Sequence, residues 1–253
     1  MLRSRIVPSL LLRDGGLVKT RQFADDKYVG DPINAVKIFN EKEVDELAIF
    51  DIDATAQRHE PDYDLLKSIA AESRMPLCYG GGVTTAAQAS RLLQLGFEKI
   101  SINSAAVARP QLVREMADAI GTQSVVVTID VRKAGLLGRH AIYTGNGRRQ
   151  TKLKLTDFLG EVEALGAGEV IVNAIDRDGM MQGYDLALSR TVRDAISIPM
   201  TMLGGAGSPA DMEQLIETVG TVGAAAGSLF VFTGVYRAVL ISYARPAGAE
   251  PNG

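Results

Sequence analysis

The sequence has no tryptophan, one cysteine (Cys78) and two histidines, His59 and His140. A single cysteine excludes an internal disulfide and fits a reducing cytoplasm. Two histidines and one thiol are too few for a His- or Cys-rich metal site. No apolar run reaches the roughly 18 residues of a membrane span. The formal net charge is only −3, which leaves no basic footprint for nucleic acid. The opening MLRSRIVPSLLL is shaped like a short signal peptide. It lacks a small-residue cleavage site and runs straight into the charged turn RDGG, so it reads as a first strand.

Short apolar runs, by contrast, are plentiful: 46% of the 253 residues are hydrophobic. That suffices for one large α/β domain or two small ones. The runs are IVPSLLL (6–12), LAIFDID (47–53), PLCYG (76–80), KISIN (99–103), VVVTID (125–130), VIVNAID (170–176), PMTML (199–203) and VGAAAGS (222–228). Continuous rather than alternating apolarity predicts strands buried on both faces. Between them lie helical-period stretches, several preceded by Asp, Ser or Thr and several stopped by Gly. Eight strands alternating with helices predict a (β/α)8 barrel, with a doubly wound open sheet as the alternative.

An internal repeat argues against the open sheet. Pro76 precedes Gly80-Gly81-Gly82 and Pro199 precedes Gly204-Gly205, 123 positions apart, as are Glu46 and Glu169. LGFEKISINSAA aligns with VGTVGAAAGSLF. The chain reads as two four-strand halves closing into one barrel domain over 1–253. In that repeat IVPSLLLR aligns with VVVTIDVR, so Leu11 stands where the second half has Asp130.

In such barrels the site lies at the C-terminal strand ends. LGGAG (203–207) with AGS (226–228), and YGGG (79–82) with INS (102–104), predict two phosphate cradles across the mouth. Glycine turns and helix N-termini leave N–H groups for phosphate oxygens. The bland alternative is that these glycines only make tight turns. Asp51, Asp53, Asp130, Asp176 and Asp178 fall at strand ends. Asp130, following a fully apolar strand, is the candidate general acid or base. Asp53 reads as a helix cap, and Asp178 either orders a loop or binds a substrate hydroxyl. Lys19 sits in an expected loop of about twenty residues, either closing on phosphate or simply exposed. At the opposite end Arg5, Glu46, Lys99 and Glu169 predict a ring of alternating charge: a surface rim, or a plug across the axis. GRHAIYTGNGRRQTK predicts a hairpin pairing Arg139–Thr144 with Arg148–Lys152; neither His140 in it nor the loop residue His59 carries a catalytic signature.

VGDP, DELAIFDI, YGGGV, KISINSAAV, GTQSVVVTID, GAGEVIVNAIDRDG, GYD and GGAG together resemble the cyclase subunit of imidazole glycerol phosphate synthase, the HisF family. The resemblance covers nearly the whole chain. It implies a duplicated half-barrel that receives ammonia from a glutaminase, HisH, docked at the bottom of the barrel. Ammonia passes a charged gate and reacts at the mouth with a doubly phosphorylated nucleotide; no cofactor is implied. Carried over, Arg5, Glu46, Lys99 and Glu169 are the gate. Lys19, Gly81, Gly82, Ser101, Asn103, Ser104, Asp178, Gly179, Gly204, Gly205, Gly227 and Ser228 face the substrate and its phosphates. Asp130 matches one of two catalytic aspartates; Leu11 replaces the other, leaving Asp51 as the nearby carboxylate. Met180 stands where the family has threonine.

PSLLLRDGGLVKT, KYVGDPINAVKIFNEKEVDEL, MPLCYGGG and VFTGVYRAVLISY resemble a HisF-like branch associated with surface polysaccharide. That branch implies ammonia delivery, with a HisH-like glutaminase and a separate amidotransferase, to an N-acetyl sugar that becomes acetamidino. Three readings stand: an ammonia conduit for sugar amidation, a working cyclase, or a scaffold without transfer activity.

Overall fold

The computed structural model of the chain describes residues 3–135 and 138–246, so the outermost positions of the expected 1–253 domain lie outside it. Eight parallel strands form the barrel: β1 Arg5–Arg13, β2 Leu47–Asp51, β3 Leu77–Gly80, β4 Lys99–Ile102, β5 Val125–Ala134, β6 Glu169–Ala174, β7 Met200–Leu203 and β8 Gly223–Ala226. Each pairs with the next in sequence, and β8 returns to β1 with Arg5 opposite Gly223. The closure settles the choice against an open sheet: this is a (β/α)8 barrel.

Seven helices of nine to eleven residues cover it: α1 Pro32–Glu41, α2 Tyr63–Glu72, α3 Ala86–Gln94, α4 Gln111–Ile120, α5 Leu155–Ala164, α6 Leu186–Ala195 and α7 Pro209–Val219. Local chemistry starts several of them. Asp31 accepts from Asn34 N at 2.8 Å ahead of Pro32, whose missing N–H is no loss in a first turn. Thr85 with Gln88, and Ser208 with Asp211, form capping boxes. Helix α1 then buries Ala35, Val36 and Phe39 against the sheet. Facing inward instead, Val7, Ala48, Cys78, Val126, Ile171, Leu203 and Ala225 form a separate apolar cluster inside the barrel. Both strand faces are buried, which is why the runs read as continuous apolarity.

Three expectations need correction. The segment before α1 is not a loose loop: Gly16–Arg21 pairs antiparallel with β1, Leu12 opposite Leu17, and Ala24–Gly30 pairs onto it. Asp130 does not end its strand; β5 runs on to Ala134 and pairs with Arg139–Thr144. The hairpin partner of Arg139–Thr144 is Arg149–Lys154 rather than Arg148–Lys152. In each case pairing with a neighbouring strand extends or shifts the ladder, and such pairing has no local sequence signature.

Candidate functional site

At the bottom of the barrel the four charged residues close into a ring. The Arg5 guanidinium bonds Glu46 and reaches Glu169 Oε1 at 2.7 Å. Lys99 Nζ bridges the same two carboxylates at 2.8 and 2.7 Å. Thr201 Oγ1 adds a 2.5 Å bond to Glu169. Residue 223 must be glycine here, since a Cβ would collide with the Thr201 side chain. Burial pushes the Glu169 carboxyl up, but Arg5 and Lys99 outweigh it and hold the group below the usual carboxylate range. Burial likewise works against the charged form of Lys99, and the two carboxylates outweigh it, raising its pKa. Glu98, beside the ring, is exposed.

Above the inner apolar cluster the barrel opens into a cavity of about 400 Å³. Asp51, Asp130, Lys19 and the glycines, serines and asparagine expected at the mouth line it, except Gly207 of the LGGAG turn, together with Leu11. Asp130 is buried, and Asn103 Nδ2 donates to its Oδ2 at 2.8 Å. Burial pushes the Asp130 carboxyl up to about 7, with Asp178 adding to the rise and the Asn103 and Asn173 amides opposing it. A group poised there exchanges protons at working pH. Leu11, its counterpart in the repeat, is half-buried, lines the same cavity and has no proton to exchange.

The other carboxylates have structural partners. Asp51 Oδ1 accepts from Asp53 N and Ala54 N, both at 3.0 Å, and so starts the short helix Ala54–Gln57. Burial raises its pKa. Asp53 is bonded by Arg13 Nε at 3.2 Å rather than capping that helix with its side chain. Asp178 accepts from Thr20 Oγ1 at 2.7 Å and from Phe23 N at 3.3 Å. Of its two readings, the ordering of a neighbouring segment is the one with contacts: Asp178 pins the Gly16–Gly30 excursion to the rim.

Lys19 is neither exposed nor raised as a lid. It is 5% exposed, and its Nζ donates to the backbone oxygen of Ser9. Burial lowers its pKa to about 8, against the pull of Asp178. Gly227 makes room for it: a Cβ there would meet Lys19 Nζ at 2.6 Å.

The glycine turns have the strained backbone only glycine adopts readily. Gly81 and Gly82 have φ of +137° and +69°, and Gly204 and Gly205 have +97° and +113°. A Cβ on Gly81 would meet Asp51 O at 2.6 Å, and one on Gly204 would meet Ala174 O at 2.7 Å. Tight packing alone therefore demands glycine at these positions, whatever they bind. The hydroxyls beside them have protein partners: Ser101 with Thr128 at 2.6 Å, Ser104 with Gly145 N at 3.3 Å, Ser228 with Arg237 Nη2 at 3.1 Å. Asn173 Oδ1 is buried without a partner among the described residues.

The sequence reading missed three contributors to the mouth. Arg148 and Arg149, at the tip of the hairpin after β5, line the cavity and are exposed. Their only sequence signal is the pair of arginines beside an Asn-Gly turn. Arg237, from a small hairpin near the C-terminus (Phe232–Thr233 with Ala238–Val239), bonds Gly179 O and Ser228 Oγ. His140 sits elsewhere, on Asp185 Oδ2 at 3.1 Å, and His59 is exposed with Nδ1 on Glu60 O. Neither lines the mouth.

Among the described residues no helix is long and apolar enough to cross a membrane, and no cluster of His, Cys, Asp and Glu is arranged to hold a metal ion. Residues 5–237 match a family model described as "Histidine biosynthesis protein". The chain is 50% identical to the protein designated hisF3 in Vibrio vulnificus, over 98% of this chain and 95% of that one. It is 51% identical to a Leptospira borgpetersenii protein designated HisF, over 100% and 97%. Both carry the name imidazole glycerol phosphate synthase subunit only in provisional form. The imidazole glycerol phosphate synthase subunit HisF of Halalkalibacterium halodurans is 37% identical over 91% of each chain. The chain therefore belongs to the histidine biosynthesis protein family and is a HisF-like member of it.

Proposed function

We propose that this chain is the ammonia-receiving subunit of a two-part synthase, acting in the cytoplasm with a HisH-like glutaminase docked on the N-terminal face of the barrel. The ring of Arg5, Glu46, Lys99 and Glu169 is the gate through which ammonia enters. The apolar interior between Val7 and Ala225 favours neutral ammonia over ammonium, because an unpaired charge is expensive to bury there. At the mouth the glycine turns and Lys19 hold a phosphorylated small molecule, and Asp130 moves protons. The acceptor in this reading is an N-acetyl sugar of surface polysaccharide, converted to acetamidino with a separate sugar amidotransferase.

One observation carries the reading: the charged ring and the glycine turns are intact, yet Leu11 fills the place that pairs with Asp130 across the repeat. Cyclase chemistry uses an acid–base pair, and loss of one member costs on the order of 10²- to 10⁴-fold. A second reading, a working cyclase, is favoured by Asp130 itself, whose carboxyl is poised at about 7 in a cavity that retains the other mouth residues.

Ammonium-driven turnover of the formimino nucleotide, without glutaminase, separates the two. The natural chain is expected to be inactive and Leu11→Asp to recover activity. Turnover by the natural chain at an ordinary cyclase rate would return it to histidine synthesis. Inactivity of both would place the chemistry wholly on a partner.

A further inference from the structure

A second cavity, of about 250 Å³, opens beside the mouth. It lies among the turn that ends β1, the turn that ends β2 and the start of α2. Leu12, Leu66 and Tyr79 are its buried walls, and Asp14, Asp51, Asp53 and Asp62 line it.

Its charge is not balanced from within. Arg13 is the one arginine or lysine lining it, and that guanidinium is committed to Asp26 at 2.8 Å and Asp53 at 3.2 Å. Asp51 and Asp62 each use Oδ1 to accept backbone N–H groups. The other carboxylate oxygen of each has no protein donor among the described residues. His59 also lines the cavity, with Nδ1 on the Glu60 carbonyl.

A second, independent observation points to a ligand. Tyr79 is 0% exposed, and its hydroxyl has no hydrogen-bond partner among the described residues. Buried hydroxyls are nearly always bonded. Asp51 and Asp62, both on this cavity, are the carboxylates whose charge acts on that hydroxyl. Here a phenol and two acidic groups surround a space far larger than the roughly 30 Å³ share of one water. The acidic groups do not converge as metal ligands. What fits is a cation carrying several N–H donors and a short apolar tail. An alkylammonium has three such donors, and Leu12 and Leu65 offer the tail an apolar wall.

We propose that this side cavity binds a small primary alkylammonium, held by Asp51, Asp62 and the Tyr79 hydroxyl. Asp51 and Arg13 line both cavities, and Gly81 of the mouth packs directly on Asp51. A ligand here therefore rests against the back of one glycine turn of the mouth.

The test is isothermal titration calorimetry of the purified chain with n-propylammonium chloride, beside propan-1-ol and tetramethylammonium chloride. Saturable one-to-one binding of propylammonium alone is expected. Tyr79→Phe and Asp62→Asn are each expected to weaken it about tenfold. Asparagine still caps α2, so Asp62→Asn keeps the fold. Circular dichroism and melting curves check that both variants are folded. Absence of saturable propylammonium binding would overturn the proposal. So would equal binding of propan-1-ol or tetramethylammonium, or full affinity in Tyr79→Phe. Loss of binding in Asp130→Asn but not in Tyr79→Phe would also overturn it, because the heat would then arise at the mouth.

Discussion

Asn103 Nδ2 donates to Asp130 Oδ2 across 2.8 Å, so the acidic group at the centre of the mouth is steadied by a neutral amide and no cation. Burial then dominates, and the carboxyl rises to about 7. An unfolded aspartate titrates near 3.9. Between those values the folded chain keeps a proton that the unfolded chain has released. Stability from this group is therefore present at low pH and falls as pH rises through the window. Asp130→Asn is expected to be more stable than the natural chain by on the order of 1–3 kcal/mol at about pH 8, and nearly equal to it at about pH 4. Urea unfolding at the two pH values measures this. An equal gain at both would mean that Asp130 is not raised.

Lys19 has the opposite pH signature. Burial brings it down to about 8, against roughly 10.4 in an unfolded chain. Between those values the unfolded chain binds more protons, so stability rises with pH. Lys19→Met is expected to raise the melting temperature at about pH 7, with the gain fading towards about pH 10.5. A loss of stability at neutral pH would show that the bond to Ser9 outweighs the burial of the charge.

At the other end of the barrel, Glu169→Gln leaves Arg5 and Lys99 facing one carboxylate. The guanidinium and ammonium side chains are 25% and 17% exposed, which tempers the cost. A loss of roughly 1–3 kcal/mol at neutral pH is expected. The Glu169 carboxyl is held below its usual range, so its contribution is present above the unfolded value near 4.3 and is lost as pH falls through the folded value. The gap between variant and natural chain should therefore close on acidification. A gap that stays constant would assign the loss to packing instead.

Two glycines separate strain from collision. Gly15 has φ +74° with nothing within 4 Å of an added Cβ, whereas Gly81 has φ +137° and would drive a Cβ onto Asp51 O at 2.6 Å. Gly15→Ala is expected to cost about 1 kcal/mol, and Gly81→Ala at least twice that, roughly 2–4 kcal/mol. Thermal melts of the two variants compare them directly. Equal costs would remove the steric argument for the glycine turn at the mouth.

The sequence by itself determined the barrel. Strands buried on both faces carry continuous apolar runs, helix starts carry their own caps, and the repeat at 123 positions identified the two halves. The alignment of the halves also set Leu11 against Asp130 and Glu46 against Glu169, two of the four charges that the fold gathers into one ring. These features are legible because the interactions behind them are local, or are repeated along the chain. Tertiary structure decided the rest. It turned the Gly16–Gly30 segment into paired strands and drew Lys19 inside. It made Asp51 a cap for Ala54, brought Arg148, Arg149 and Arg237 to the mouth, and buried the Tyr79 hydroxyl without a partner among the described residues. Each outcome depends on which distant residue removes a group from water or completes its hydrogen bonds, and only the closed barrel brings those residues together.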